Sequence, residues 1–156
     1  MNDVPGCLAC ELTGGRQPLP GGTILRTGHW AVEHCIGPLV VGTLIVKPLR
    51  HVIHFAGLTA DEIAEFGPLL RRVAEAVQAE AHADQTYICE WSHAGWEAGH
   101  IHFVVQPAWN NQWVQYGRPG PFMQTRMFEE ATPLDEAAVV AFCDRMRYRL
   151  AADVSA

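Results

Sequence analysis

The alternation of side chains from His100 to Gln106, written HIHFVVQ, constrains the fold more than any other feature of the sequence. In a β-strand, successive side chains point to opposite faces. One face of this strand carries His100, His102, Val104 and Gln106, and the other carries Ile101, Phe103 and Val105. The apolar face has to pack beneath other elements of the domain. The face with two imidazoles then looks into a cleft or towards a bound ion.

Other periodic segments predict the rest of an α+β domain. Four short β-rich runs, at 23–27, 30–35, 43–46 and 87–91, predict four more strands. Thr59 and Glu62 form a capping-box pattern ahead of apolar residues spaced by three and four, which predicts a helix over 59–82. Within it, Gly67-Pro68 predicts a kink or a break, because proline removes a backbone donor.

The remaining segments complete the expected architecture. A C-terminal helix is predicted over 132–151, opened by Thr132-Pro133. The segment 108–131 is rich in turn formers and predicts a surface loop that exposes aromatic residues such as Trp109 and Trp113. The chain is therefore expected to form one domain over 1–156, with a five-stranded, mainly antiparallel sheet, a long crossover helix and a C-terminal helix.

Charge and the amino-terminal sequence argue against several classes of partner. The formal net charge is -6 and the pI is about 5.7, whereas proteins that coat nucleic acids cluster Lys and Arg against phosphates. A small phosphorylated ligand needs only local donors, but a nucleic-acid polymer is not expected. The first residues lack the basic start and apolar stretch of a signal peptide, and no segment is apolar for long enough to span a bilayer. We expect a cytoplasmic protein without a membrane partner.

The N-terminal arm, residues 1–20, contains Cys7-x-x-Cys10, a spacing typical of zinc sites. Zn²⁺ accepts two thiolates and two imidazoles in a tetrahedron. The same spacing suits a redox pair, but the preceding strand and following helix of a thioredoxin-like motif are not indicated here. The chain has five cysteines, an odd number that argues against a disulfide framework.

The histidines have ordinary interpretations as well. Two histidines on a half-exposed strand face are often simply hydrogen-bonded, and His51, after a proline turn, is by itself most often solvated. His100 and His102 could instead bind one catalytic metal ion, an arrangement that calls for a carboxylate ligand nearby. The residues after His102 are apolar up to Gln106, so this arrangement is the least favoured.

In combination, these motifs resemble the histidine-triad (HIT) family of nucleotidyl hydrolases and transferases. The similarity comprises the N-terminal Cys-x-x-Cys, the strand ending in Pro48-x-x-His51, the long helix, the Gly95-x-x-Ala98-Gly99 loop, and the His100-x-His102 strand followed by Pro107. These motifs occur in the family's order over residues 5–107. The resemblance implies a five-stranded antiparallel sheet with two helices, in a protein that usually forms a homodimer.

The resemblance also implies a role for each matching residue. His102 corresponds to the family's nucleophile, which attacks the α-phosphorus of a nucleotide and forms a nucleotidyl-histidine that water or another acceptor resolves. Imidazole suits this role because it is a good nucleophile when neutral and a good leaving group when phosphorylated. In zinc-bearing members, the ligands correspond to Cys7, Cys10, His51 and His100. Zinc there is structural and fastens the N-terminal arm to the sheet.

The sequence departs from the family pattern around the phosphate. Val104 stands where most members have a third histidine, and it donates no hydrogen bond. Gln106, two residues further along the same face, is the candidate replacement. It lies about 6–7 Å from the family's position along the strand.

The loop ahead of the histidine strand also departs from the pattern. Gly99 directly precedes His100, so the polar pair with which the family orients the leaving group is missing. Ser92, His93 and Glu97 are candidates to replace it, and His93 is the best proton donor of the three.

The ribose-binding position departs as well. Cys35 stands where the family has a ribose-binding aspartate, and Glu33 on the same strand face is the candidate substitute.

Two functions follow as hypotheses. The first is a hydrolase or nucleotidyl transferase that acts on a nucleoside phosphoramidate or a dinucleoside polyphosphate through His102. The second is a zinc-stabilised module that binds a phosphorylated ligand or a protein partner without turnover. The second is considered because losing one oriented donor costs about 10²–10³ in rate, and three supports of the reaction are altered.

Overall fold

The computed structural model describes residues 4–95 and 98–152. Its centre is a five-stranded sheet with the order β1-β2-β3-β5-β4, in which every neighbouring pair is antiparallel. The strands are β1 (Thr23–Arg26), β2 (Trp30–His34), β3 (Leu44–Pro48), β4 (Gln85–Trp91) and β5 (His102–Ala108). The helices are α1 (Leu8–Thr13), α2 (Ala60–Ala81), α3 (Asn110–Tyr116), α4 (Pro121–Glu130) and α5 (Glu136–Ala152). The predicted α+β fold with a five-stranded antiparallel sheet is confirmed.

The main hydrophobic core lies between one face of the sheet and helices α2 and α5. The alternating apolar side of β5 contributes Phe103 and Val105, as the sequence predicts, and they pack with buried residues of α2 and α5 such as Val73 and Met146. Thr59 and Glu62 form the predicted capping box at the start of α2. This helix carries the chain across the sheet from β3 to β4.

Helix α2 is not broken at Gly67-Pro68. The helix continues through Pro68 from Ala60 to Ala81, so the predicted break is wrong. Proline removes a single backbone hydrogen bond. The residues that follow it, including Leu69 and Val73, are buried in the main core, and their burial holds the helix together across the missing bond.

The opposite face of the sheet is partly covered by a second, smaller core. The predicted surface loop over 108–131 is wrong, because this segment folds into α3 and α4. Turn formers are concentrated at 117–120, between the two helices, and Met123 and Met127 of α4 are buried against Val104. Burial against the sheet, which a local pattern does not reveal, therefore stabilises helices in a segment that reads as a loop.

Both ends of the chain differ in detail from expectation. The C-terminal helix begins at Glu136 and not at Thr132, and the Asp135 carboxylate accepts a hydrogen bond from the Ala137 backbone N–H at 3.0 Å. A short helix, α1, begins directly after Cys7, so the expectation of no helix behind the Cys-x-x-Cys motif is also wrong.

None of the helices within residues 4–95 and 98–152 combines the length and the apolar character that crossing a membrane requires.

Candidate metal centre and active site

Four metal-binding side chains from three parts of the chain meet at one end of the sheet. They are Cys7, Cys10, His51 and His100, and their ligand atoms all lie within 4.8 Å of one another. The Cys10 Sγ atom is 3.5 Å from Nδ1 of His51 and 3.6 Å from Nδ1 of His100, and the Cys7 Sγ atom is 3.6 Å from the same His100 nitrogen. The sequence predicted these four residues as a set, and the fold brings them together.

The cluster fits a tetrahedral zinc ion. Zinc bonds of about 2.3 Å to sulfur and 2.0–2.1 Å to nitrogen place adjacent S and N ligands about 3.6 Å apart in a tetrahedron, which matches the S···N separations here. The Nε2–H group of His100 donates to the Pro48 carbonyl at 3.1 Å, so the Nδ1 lone pair faces the thiols. Burial lowers the pKa of His100 to about 4 and keeps the ring in the neutral form that binds metal.

An ion pair fastens the loop that carries His51 to helix α2. The Arg50 guanidinium donates to both carboxylate oxygens of Glu62 at 2.8 Å and to the Gly57 carbonyl at 2.6 Å. The Glu62 carboxylate also accepts the Thr59 backbone N–H within the capping box. Arg50, which directly precedes the predicted metal ligand His51, therefore ties this loop to the first turn of α2. The sequence analysis missed Arg50, although a basic residue beside His51 was a visible signal.

His102 lies next to the metal cluster, in a cavity of about 220 Å³ on the second face of the sheet. Its Nδ1 atom is 2.8 Å from the His100 carbonyl oxygen. Because a carbonyl only accepts, Nδ1 carries the proton and Nε2 of the neutral ring keeps its lone pair. Burial lowers the pKa of His102, which favours that neutral ring. His102 stands apart from the four-residue cluster, so a metal ion shared by His100 and His102 is not what this geometry favours.

His93 and Ser92 line the same cavity. The His93 ring centroid is 5.3 Å from that of His102, and both rings lie against the indole of Trp91. The Ser92 hydroxyl accepts the Ala94 backbone N–H at 3.3 Å. Both residues therefore line the cavity in which a second group could act on a ligand bound at His102. Glu97, the third residue predicted for this task, lies outside the described residues.

The loop approaches the histidine strand closely because residue 99 is glycine. The Ser92 carbonyl accepts the His100 backbone N–H at 2.9 Å. A Cβ atom at Gly99 would lie 2.6 Å from that carbonyl oxygen, which is closer than such contacts allow. Glycine at position 99 is thus required for the backbone contact that holds His100 in place.

Glu33 lies on the floor of the cavity, paired with a lysine. The Lys47 ammonium donates to Glu33 Oε1 at 2.6 Å, and both side chains are almost fully buried. The second carboxylate oxygen, Oε2, has no hydrogen-bond partner among the described residues. Burial raises the pKa of Glu33, and the charge of Lys47 opposes that rise. The sequence pointed to Glu33 but missed Lys47, whose signal was a charged residue inside an otherwise apolar strand.

Cys35 lines the cavity next to Glu33. Its Sγ atom accepts the Gly37 backbone N–H at 3.3 Å, and burial raises its pKa to about 11. The thiol therefore remains protonated near neutral pH and does not replace the charge of the aspartate that the family pattern has at this position.

Val104 and Gln106 have different surroundings from those of the two histidines. Val104 is buried in the second core with Met123 and Met127, and it also borders the cavity that His102 lines. Gln106 does not reach the cavity. Its carbonyl oxygen accepts a hydrogen bond from Gln124 of α4 at 2.8 Å, and its amide group contacts the Met127 sulfur at 3.3 Å. Gln106 is therefore not in a position to replace the third histidine of the family pattern.

Comparison with known proteins identifies the fold. No family model matches the chain, and no curated protein matches it. A hypothetical histidine triad nucleotide-binding protein from Sulfolobus tokodaii is 14% identical over 94% of this chain and 93% of its own, with a TM-score of 0.71. A Zn-bound histidine triad family protein from Mycobacterium smegmatis is 22% identical over 96% of each chain, with a TM-score of 0.67.

A third structure leads to the same fold. A Hit-like protein involved in cell-cycle regulation from Bartonella henselae is 13% identical, with a TM-score of 0.65 over 89% of this chain and 92% of its own. The protein therefore has the histidine-triad fold, as the motifs predicted. Identities this low establish the fold alone, so the activity has to be argued from the site.

Proposed function

We propose that the protein is a histidine-triad hydrolase or nucleotidyl transferase in which His102 attacks the α-phosphorus of a bound nucleotide. The observation that carries this proposal is the orientation of His102. Its Nδ1–H group donates to the His100 carbonyl, so Nε2 of the neutral ring keeps its lone pair, and the residue lines a cavity of about 220 Å³. This is the state that a nucleophilic imidazole requires.

The reaction proceeds in two displacements at phosphorus. In the first, His102 Nε2 forms a P–N bond while the bond from phosphorus to the leaving group breaks, and protonated His93 gives its proton to the leaving atom. In the second, water attacks the nucleotidyl-histidine, His93 takes a proton from that water, and the P–N bond breaks to restore His102. The proximity of the two rings supports these roles.

Glu33 and Ser92 are proposed as substrate-binding residues. Glu33 Oε2 lacks a partner in the described part of the chain and can accept a hydrogen bond from a ribose hydroxyl. Ser92 lines the cavity beside His93, where a phosphate or leaving-group oxygen has to pass. A nucleoside phosphoramidate or a dinucleoside polyphosphate provides both a ribose and an α-phosphate, so both classes are proposed substrates.

We propose zinc as a structural cofactor. Cys7, Cys10, His51 and His100 would hold it, and it would fasten the N-terminal arm to the strand that positions His102. Zinc closed by four protein ligands supplies folding energy and leaves no open position for substrate.

The test is intact mass spectrometry after incubation with nucleoside phosphoramidates and dinucleoside polyphosphates, quenched at high pH. The expected result is an added nucleotidyl mass that is absent in His102→Ala. Cys35→Ser serves as a matched control, because it changes another nucleophilic atom that lines the same cavity and should retain the adduct.

A second candidate function is a zinc-stabilised module that binds a phosphorylated ligand or a protein partner without turnover. The burial of Val104 favours it, because this residue offers no donor where the family pattern has a histidine. Nucleotide binding without adduct or product, in folded and zinc-loaded protein, would favour this function over catalysis.

We further propose a cytoplasmic homodimer. Strand β4 pairs only with β5 among the described strands, and Ile88 on it is 47% exposed, so this edge is available to a second copy. The five free thiols support a reducing compartment. Sedimentation of the wild type and of Ile88→Glu tests the dimer, since the charged variant should be monomeric if β4 forms the interface.

A further inference from the structure

Lys47 is the only lysine in the chain, whose other ten cationic side chains are arginines. It lies in β3 within the apolar run LIVKP and is 1% exposed. A buried ion pair is often no more stabilising than well-packed apolar residues of similar volume. Stability alone therefore does not explain why this lysine and its partner Glu33 occupy the floor of the cavity.

The Lys47 ammonium bridges two parts of the molecule. On one side, it donates to Glu33 Oε1 at 2.6 Å. On the other side, it donates to the Ala9 carbonyl at 2.9 Å. Ala9 is the residue directly before Cys10 in the Cys7-x-x-Cys10 segment, so this bond fixes the backbone between two metal-binding thiols. Lys47 is thus the direct link between the cavity floor and the candidate zinc arm.

The two ends of this link belong to different kinds of element. Ala9 belongs to a short helix of six residues in which Cys10 and Leu12 are buried. Glu33 lies in β2, which pairs with both β1 and β3. Its Oε2 atom is buried and unpartnered in the described structure, and a ligand donor at that atom would fix the carboxylate to which Lys47 is bound.

We propose that Lys47 is a positioning residue that couples the N-terminal arm, which carries Cys7 and Cys10, to the ligand cavity. Zinc affinity then depends on the Glu33 carboxylate and on whether a ligand is bound to it. The part of this inference that concerns nucleotide rests on the proposed function. Because binding free energies are linked, a nucleotide that binds Glu33 tightens zinc by the factor by which zinc tightens the nucleotide. Zinc bound to the arm likewise holds Glu33, through Lys47, in the position in which it can bind a ligand.

The first experiment measures zinc affinity by competition with a chromophoric chelator, using the wild type, Glu33→Gln, Lys47→Met and the double variant. Changing a residue that supports a metal site weakens affinity by about 10–100-fold, and we expect Lys47→Met to lie in that range. Glu33→Gln should lower the zinc affinity as well, although the Glu33 side chain is not a zinc ligand. In the double variant, the Glu33 change should add nothing to the effect of the Lys47 change.

Two features keep this cycle interpretable. The double variant removes both buried charges, so it folds without the unpaired carboxylate that Lys47→Met alone leaves behind. Glu80→Gln is the matched control, because Glu80 is a carboxylate paired with Arg145 and Arg149 outside this network, and its zinc affinity should equal that of the wild type. Effects of Glu33 and Lys47 that simply multiply would overturn the coupling.

The second experiment uses the wild type alone. Protein labelled with ¹⁵N-lysine has a single side-chain ammonium signal, because the chain has one lysine. We expect this signal to shift on addition of zinc, and to shift again when AMP, GMP, CMP or UMP is added to the zinc-loaded protein. A signal that zinc leaves unchanged would overturn the inference even if Lys47→Met does not fold.

The nucleotide titration separates this inference from the proposed function. If none of the four nucleotides binds the wild type, the proposed function fails, while the zinc cycle still decides whether Lys47 connects Glu33 to the arm. If nucleotides bind but change zinc affinity equally in the wild type and in the double variant, the function stands and the role of Lys47 is refuted.

Discussion

The face that begins at His100 and continues along β5 has two halves with different surroundings. His100 and His102 lie at the start of the face, where the first completes the candidate zinc cluster and the second lines the cavity. Val104 and Gln106 lie two and four residues further on, where α4 covers the sheet and buries both. The spacing of the four residues is identical. Val104 still borders the cavity, so Gln106 is the residue of this face that α4 separates from a ligand.

This contrast shows how an interrupted histidine motif retains an organised site. The open half, His100 and His102, completes the candidate metal cluster with Cys7, Cys10 and His51 and places the proposed nucleophile beside His93. In the closed half, Val104 and Gln106, the Gln106 carbonyl accepts a hydrogen bond from Gln124 of α4. A residue that continues the pattern in sequence can therefore serve the packing of a second core and take no part in the chemistry.

The largest expected effect separates the two halves by activity. His102→Ala should reduce kcat/KM by about 10⁴-fold or more, because it removes the nucleophile. Gln106→Ala should change it by less than about threefold, because its side chain lies outside the cavity. Steady-state kinetics on one nucleoside phosphoramidate compares them directly. Equal losses in both variants would contradict the division of the strand face.

Removal of zinc tests the open half as a structural unit. At a free zinc concentration about 1,000 times its Kd, binding stabilises the folded state by about 4 kcal/mol. For a chain of this size, that corresponds to a decrease in Tm of about 8–16 °C when a chelator is added. Calorimetry with and without chelator measures the shift. Cys10→Ser should melt at the temperature of the metal-free wild type and should not respond to chelator.

Restoring a donor in the closed half sharpens the comparison. In Val104→His, the new imidazole is placed at the position that the family pattern assigns to a third histidine. We expect kcat to rise by about 10-fold or more, because an oriented donor contributes about 10²–10³ in rate, and stability to fall by about 1–3 kcal/mol, because a polar ring enters an apolar core.

The control for that gain is Val104→His combined with His102→Ala, which should remain inactive. An unchanged rate in folded Val104→His would indicate that α4 prevents the new ring from reaching the phosphate.

The Gln106–Gln124 contact gives a smaller effect, on stability. Gln106→Leu should lower the free energy of unfolding by about 1–3 kcal/mol, because it removes the carbonyl acceptor of the buried Gln124 amide and leaves only the weak Cys89 sulfur acceptor. Replacing both residues by Leu should recover most of that loss, since no unpaired polar group then remains. Urea unfolding of the single and double variants measures the difference, and equal destabilisation in both would contradict the role assigned to the pair.

The smallest effect concerns His34, a histidine of the sheet whose two ring nitrogens are both occupied. Nδ1–H donates to the Cys35 carbonyl at 2.7 Å, and Nε2 accepts the Gly42 backbone N–H at 2.9 Å. Burial lowers the pKa of His34 in the folded state. Below the ordinary pKa of about 6.5, the unfolded chain therefore binds more protons than the folded one, and stability falls as the pH falls.

His34→Gln removes this titration. Urea unfolding at pH 7.5 and 5.5 should show a difference between the two pH values that is smaller in the variant by about 1 kcal/mol. An equal pH dependence in both proteins would mean that His34 does not contribute.

Several elements were predictable because their signals are local. Alternation identified β5, the capping box identified α2, and the Cys-x-x-Cys spacing identified half of the metal cluster. In each case, the residues that carry the signal lie within one turn or one strand, so the pattern survives without knowledge of the partner element. The resemblance then connected His51, His100 and His102 with those elements and predicted the fold that the structure confirms.

The errors share a cause in long-range contacts. The segment 108–131 contains turn formers, but Met123 and Met127 are helical because they meet Val104 across the sheet. Pro68 does not break α2, because the residues after it are held in the main core. A local propensity of about 1 kcal/mol, or a few for proline, is outweighed when several apolar side chains are buried together.

Local patterning thus identified a Cys-x-x-Cys pair and a strand face with two histidines, because side-chain chemistry and strand periodicity are properties of the chain itself, and the family resemblance implied their roles. The packing of distant segments determined that α4 closes over Gln106, that Lys47 joins Glu33 to the arm through Ala9, and that His93 stands beside His102. These contacts join residues far apart in sequence, and their energies exist only when the sheet has brought their elements together.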